Sequence, residues 1–155
     1  MKDKKIIIFG GGTAMSIILQ GLKKFPFDIT AVVTVSDDGS SSGRLREEFN
    51  TPAVGDLRRV IVSLSETEPL VEKVFNYRFK TNSDLDGHTV GNLLLTATSN
   101  ITGNLNTGIE TLSKILNLKG RVLPLTEDNA ILMAKVDGNK TIEGEANITK
   151  ETKKI

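Results

Sequence analysis

Four short blocks of this 155-residue chain hold residue types that could do chemistry. The first is Gly10-Gly11-Gly12-Thr13, set between an apolar run and a helical pattern. Glycine there lets the backbone pass close to a ligand, and the helix behind it offers free N–H groups and a positive dipole end to a phosphate. The dinucleotide fingerprint G-x-G-x-x-G is half met, because Met15 stands where the third glycine belongs, and no Gly-Lys-Ser/Thr follows to make a Walker A loop. A tight strand-to-helix turn with no ligand would use the same glycines. The second block, Asp37-Asp38, closes another apolar run. One aspartate at that place suits a ribose hydroxyl; the pair suits Mg²⁺, which takes one or two carboxylates plus substrate phosphates. An acidic turn capping the next loop needs neither. In the third block, four of the six arginines, Arg44, Arg46, Arg58 and Arg59, fall within sixteen positions. Arginine grips phosphate or carboxylate with two donors where lysine is a point charge, so the cluster points to an anion site. Arg59 is the weakest of the four, since a helix sends residues 58 and 59 in different directions. Surface ion pairs are the competing use. The fourth block is Gly87-His88-Thr89-Val90-Gly91-Asn92, where His88 and Asn92, one turn apart, suit anion binding or proton transfer, or alternatively capping and packing.

These blocks need elements to position them. Ile6-Ile7-Ile8-Phe9 reads as a parallel strand buried on both faces. Met15, Ile18, Leu19 and Leu22 then share one helical face, Pro26 ends that helix, and Ile29 to Val35 forms a second buried strand. This is a βαβ unit. A polar loop is expected over Ser36 to Gly43. Helices follow at Leu57/Val60/Ile61/Leu64, starting near Asp56, at Leu70/Val71/Val74/Phe75 after Pro69, and at Val90/Leu93/Leu94/Ala97, with Leu93-Leu94-Leu95 as core. A last one carries Leu105/Ile109/Leu112/Leu116, with Gly120 as its C-cap. Arg121 to Leu125 reads as a third parallel strand, and Ala130–Val136 with Thr141–Ala146 as a hairpin turning at Asp137-Gly138-Asn139. Glu145 to Ile155 is polar, with no periodic face. Three parallel strands and a hairpin are few for a doubly wound sheet, which points to a portion of a longer chain.

Composition narrows the chemistry. Twenty basic residues against nineteen acidic ones give a net charge of +1, so no global field draws the chain onto nucleic acid or a membrane surface. With no cysteine, disulfides, thiolate zinc sites and cysteine nucleophiles are excluded, and a single histidine excludes a His-rich metal site. Four apolar residues after the N-terminal lysines are too few for a signal peptide, and no run approaches the roughly 20 needed to span a bilayer. A cytoplasmic location is expected. The Asn-x-Ser/Thr triplets at Asn100, Asn139 and Asn147 read as chance.

The blocks together resemble the gluconeogenesis factor family (YvcK-like). The resemblance rests on Gly10-Gly11-Gly12-Thr13, Val35-Ser36-Asp37-Asp38-Gly39, Ser41-Ser42-Gly43-Arg44-Leu45-Arg46, Gly55-Asp56-Leu57-Arg58, Arg78-Phe79, Gly87-His88, Gly91-Asn92-Leu93-Leu94 and Gly120-Arg121-Val122-Leu123-Pro124, in family order from residue 6 to about 148. That family shares a superfamily with 2-phospho-L-lactate transferase (CofD-like), which builds a deazaflavin coenzyme. The resemblance implies a Rossmann-like three-layer α/β sandwich with a mainly parallel sheet and a C-terminal hairpin. It also implies a UDP-sugar-binding regulatory protein, with UDP-N-acetylglucosamine among its ligands, tied to gluconeogenic growth and cell shape rather than to a reaction. On this reading Gly10, Gly11, Gly12 and Thr13 hold the diphosphate, and Asp37 or Asp38 a ribose or a metal. Ser42, Arg44, Arg46, Asp56 and Arg58 complete the binding set, and His88 and Asn92 line the sugar side. Binding needs no cofactor, with Mg²⁺ on Asp37 and Asp38 as the metal alternative; a homo-oligomer is compatible with the family. The alternative function is a Mg²⁺-dependent phospholactate-type transferase, and an NAD-dependent dehydrogenase has only the generic βαβ start behind it. Ala14 and Ser40 stand where the family has glycine, and Ala53-Val54 replaces a proline-rich lead. Family members run to roughly twice this length, so residues 1–155 resemble an N-terminal portion forming a single domain.

Overall fold

The β-branched run Ile6–Phe9 forms a strand, and the chain's α/β order follows from it. The structure, a computed structural model, describes residues 4–136 and 140–152. Strand β1 (Lys4–Gly10) leads through the glycine turn into helix α1 (Gly12–Leu22) and back to β2 (Phe27–Val33), parallel to β1 from Lys4↔Phe27 to Gly10↔Val33. Five helices follow: α2 (Ser40–Phe49), α3 (Gly55–Leu64), α4 (Pro69–Asn76), α5 (Val90–Thr102) and α6 (Leu105–Ile115). Strand β3 (Arg121–Pro124) then joins the free side of β2, giving a parallel sheet of order β1-β2-β3. A separate antiparallel pair, β4 (Met133–Val136) and β5 (Lys140–Glu143), precedes α7 (Glu145–Thr152). Local chemistry sets several boundaries. Pro69 opens α4, where its missing N–H costs nothing. Thr89 caps α5 by accepting from Asn92 N (3.3 Å), and Asn104 caps α6 by accepting from Thr107 N (2.8 Å).

One core joins these elements. Ile29, Ala31, Val33 and Val122 of the sheet pack against Met15 and Leu19 of α1, Leu57, Val60, Ile61 and Leu64 of α3, Leu95 of α5 and Ile109 and Leu112 of α6. The expected faces of α3 and α6 are thus the buried ones. The other sheet face differs. Across the ladder Phe9, Val32 and Leu123 form one row, and Ile7, Thr30 and Arg121 another. Ile7 is 62% exposed and Phe9 71%.

Several expectations are corrected. β1 is not buried on both faces, because the helical core gathers on the Ile29/Ala31/Val33 side. Ile18 faces outward at 53% exposure, so α1 is buried through Met15 and Leu19. Residues 40–43, read as loop, form the first turn of α2. Its Ser41, Ser42 and Gly43 are buried, and their small size is what lets that turn pack closely. In α4 only Phe75 is buried. In α5 the buried face is Gly91, Asn92, Leu95, Thr96 and Ser99, leaving Leu94 exposed. Gly120 does not cap α6, which ends at Ile115; it enters β3 against the Ile29 carbonyl, where a Cβ would come within 2.8 Å. The polar tail contains α7. The turn residues Asp137-Gly138-Asn139 lie outside the described residues. No helix among the described residues is long and apolar enough to cross a membrane.

Candidate functional site

The glycine turn sits at the carboxyl ends of β1 and β2, where open α/β sheets bind ligands. Gly12 adopts φ 67°, a left-handed conformation natural to glycine. Gly11 is extended but has no room for a side chain: a Cβ there would collide with Thr34 Oγ1 and Asp56 Oδ2. Gly55 is crowded in the same way, by Ser42 Oγ and by Asp37 Oδ2 at 2.9 Å. The turn is therefore met by carboxylates rather than left open. Asp56 stands in the first turn of α3, hydrogen-bonded by the Gly12 backbone and paired with Arg59 at 3.0 Å. Burial raises its pKa; Arg59 works against that rise, and Asp37 adds to it. Glu145, at the start of α7, is also pushed up, first by desolvation and then by Asp37, Asp56 and Asp38.

Asp37 and Asp38 part company. Asp37 Oδ1 accepts the Gly39 N–H at 2.9 Å, and its other oxygen faces Gly55. Asp38 Oδ1 accepts from Ala146 N at 2.8 Å, which ties it to the N-terminal turn of α7. One oxygen of each is thus already engaged by a backbone N–H, and both carboxylates lie within the field of Glu145. Asp37 lies close enough to Asp56 to raise its pKa, and one or two carboxylates with substrate phosphates is the donor set Mg²⁺ accepts. Among the described residues no group of three or more acidic or histidine side chains is placed to hold a metal ion.

Helix α2 distributes the remaining candidates. Ser42 turns to Gly55, while its neighbour Ser41 bonds His88 Nδ1 and accepts from Asn92 Nδ2, both at 3.0 Å. Asn92 Oδ1 in turn accepts from Arg58 Nε at 3.1 Å, and Arg58 also donates to Asn76. Arg58 has neutral amides as partners, and burial lowers its pKa to about 10, which leaves it charged at neutral pH. Arg44 donates to the carbonyls of Asp84 (3.1 Å) and Asp86. Arg46 donates to Asn129 and to the Ala130 carbonyl. Burial lowers the pKa of His88, Arg44 lowers it further, and Glu48 opposes both.

The expected set therefore divides. Gly10–Thr13, Asp37, Ser42 and Asp56 gather at the strand ends. His88 and Arg44 line a groove of about 460 Å³ with Glu47, Glu48 and Asp84. Asp38 and Arg46 line another, of about 410 Å³, with Gly144 and Asn147. Asn92 and Arg58 are buried between α2, α3, α4 and α5. Arg59, set aside on helical geometry, is the arginine beside the glycine turn. Sequence reasoning missed Thr34 against Gly11, Gly55 against Ser42 and Asp37, Glu145 in the field of Asp37 and Asp56, and Ser41 as the centre of the amide–histidine network. Gly55 directly before Asp56 was the readable signal; the others depend on tertiary contacts.

Residues 6–155 match the family described as 2-phospho-L-lactate transferase CofD. A gluconeogenesis factor of Halalkalibacterium halodurans is 50% identical over 155 residues, and that of Bacillus subtilis 48% identical over 151. The chain is covered over 100% and 97% of its length in these matches and spans 48% of each relative, about half the length of the curated relatives it matches. A crystal structure of a Bacillus halodurans protein superposes with a TM-score of 0.94 at 49% identity, over 97% of this chain and 48% of that one.

Proposed function

We propose, from the premise that this chain belongs to the CofD family and is a homologue of gluconeogenesis factors, that it binds a nucleotide sugar of the UDP-N-acetylglucosamine type and acts as a regulatory protein in gluconeogenic growth and cell-shape control. The observation that carries the reading is the convergence of Gly11, Asp37, Ser42, Gly55 and Asp56 beyond the carboxyl ends of β1 and β2. Two glycines without space for a Cβ keep the backbone close to the site, and hydroxyl and carboxylate oxygens supply acceptors for ribose and sugar hydroxyls. A diphosphate meets the positive end of α1 only beside Asp56; were Mg²⁺ to bind with the phosphates, Asp37 would be the residue to hold it, and the ion would offset that charge. The metal's contribution is charge neutralisation; the chain's own residues orient the ligand.

Calorimetric titration with UDP-N-acetylglucosamine, UDP-glucose and NAD⁺, with and without Mg²⁺, tests this. Saturable binding of a UDP-sugar and none of NAD⁺ is expected. Asp56→Asn weakens that binding about 10-fold, the scale of one hydrogen bond to a charged group. Absence of binding both in this chain and in the same chain joined to the second half of a family-length relative rejects the reading. A phospholactate-type transferase is the second reading, favoured by the family match itself and by the Asp37/Asp56 carboxylates. Turnover of a nucleotide-activated phospholactate-type donor with a deazaflavin acceptor would establish it over simple binding.

A further inference from the structure

Arg58, Asn92, Ser41 and His88 form one hydrogen-bonded line from the interior to a groove, and its direction is set at the inner end. All four are buried. A guanidinium has donors and no acceptor, so the atom of Asn92 that faces Arg58 Nε at 3.1 Å is its oxygen. The amide nitrogen is thereby turned to Ser41 Oγ, 3.0 Å away, and donates to it. Ser41 has one hydrogen left to give, and its other neighbour is His88 Nδ1, also at 3.0 Å. With the proton on Nδ1, Ser41 Oγ would receive two donors and its own hydrogen would have no acceptor. A hydroxyl that is 2% exposed cannot pass that bond to water. Nδ1 is therefore the acceptor, and the single proton of the neutral ring sits on Nε2.

We infer that Arg58 is a positioning residue: acting through Asn92 and Ser41, it holds the proton of His88 on Nε2, so that the ring offers an N–H donor to the groove beside it and selects a ligand hydroxyl as the acceptor. Nε2 makes no hydrogen bond to the described residues and is not sealed from solvent. The groove of about 460 Å³ that His88 lines is completed by Arg44, Glu47, Glu48 and Asp84. Arg44 spends its donors on the carbonyls of Asp84 and Asp86, which leaves the carboxylates of Glu47, Glu48 and Asp84 as the groove's open charges. They repel a phosphate or a carboxylate and accept from hydroxyls. A sugar hydroxyl fits both demands, since it accepts from Nε2–H and donates to a carboxylate. The identity of that sugar rests on the nucleotide-sugar reading; the place of the proton does not.

His88 is the single histidine of the chain, so imidazole ¹⁵N spectra of the labelled protein report on it alone. At pH 8 the ring is neutral, because burial and Arg44 hold its pKa below 6.5. The expected spectrum has a protonated Nε2 and a bare Nδ1. Asn92→Asp replaces the donor facing Ser41 by an acceptor; the hydroxyl turns to it, and the ring proton moves to Nδ1. Arg58→Gln, whose amide accepts as well as donates, mixes the two forms, whereas Arg58→Lys, a donor only, keeps Nε2–H. A proton on Nδ1 in the unmodified chain overturns the inference, as does an Nε2–H form unchanged in Asn92→Asp or in Arg58→Gln. For the groove, calorimetry with UDP-N-acetylglucosamine is expected to show Asn92→Asp binding about 10-fold more weakly, one hydrogen bond lost. Equal affinity despite a reversed proton overturns the groove's part. Absence of binding to the unmodified chain overturns the choice of ligand, while the proton's place is decided by spectra that need none.

Discussion

Asp56 works against the stability of the chain that holds it. Its folded pKa lies above that of a free aspartate, chiefly because it is partly buried. The folded state therefore binds the proton more readily than the unfolded one, and ionisation at neutral pH counts against folding. The strain is relieved as pH falls through the raised folded value toward 3.8. Asp56→Asn is expected to raise the melting temperature at pH 7 while weakening the ligand. Thermal unfolding of the two proteins at pH 7 and pH 4 checks it, with the gap closing at the lower pH. His88 has the complementary behaviour. Its folded pKa is depressed below 6.5 by burial and by Arg44, so the neutral ring contributes stability above the unfolded value. That contribution is lost as pH falls from 6.5 through the folded pKa. The ring in contact with Ser41 then becomes a cation whose neighbours include Arg44 and Arg78. His88→Asn should flatten the fall in denaturation midpoint between pH 7 and pH 5; an unchanged slope would place the titration elsewhere. At this scale the sequence was a good guide to which residue types matter and a poor one to their partners. Arg44, Arg46 and Arg58 were legible as a cluster of forks, but forks serve carbonyls and amides as well as phosphates, and here they hold residues 84–86, residues 129–130 and α5.

At the scale of elements, apolar periodicity located α3 and α6 because their buried faces are made of leucine, isoleucine and valine. It misplaced the face of α5 because that helix is buried through small and polar residues. Gly108 of α6 shows why small size is needed there: a Cβ would come within 2.8 Å of the Ser99 backbone nitrogen in α5. No side-chain rotation relieves a clash with backbone. Gly108→Ala, which gains helix propensity in isolation, is expected to destabilise the fold by about 1–3 kcal/mol through overpacking, measured as a lower urea midpoint with an unchanged slope. A neutral or stabilising result would mean that α5 and α6 are free to separate. The same logic explains why the first turn of α2, residues 40–43, reads as loop. Ser40-Ser41-Ser42-Gly43 has the composition of a linker, and its burial against Asp38, Gly55 and His88 is visible only once residues far apart in sequence are brought together.

For the molecule as a whole, the α/β class, the parallel sheet and the closing hairpin were all legible, because strand composition and turn glycines are local signals. The single-sided burial of β1 was not, since a run of isoleucines looks the same whether its second face is covered by this chain or by another segment. The candidate site was legible as a list of blocks and not as one pocket, because α2 sends its side chains to several parts of the fold. The order of the sheet also sets when its strands can pair. Val32 of β2 pairs with Leu123 of β3 across about ninety intervening residues, so the central strand waits for nearly the whole chain before it gains its second neighbour. Non-local parallel pairing of this kind is slow, since the loop must close before the contacts reward it. A chain emerging from the ribosome at about 5–20 residues per second therefore carries β2 as a bare, apolar border for several seconds. In pulse-labelled refolding, the amides on the β3 side of β2 should gain protection together with those of β3, and later than those of α3.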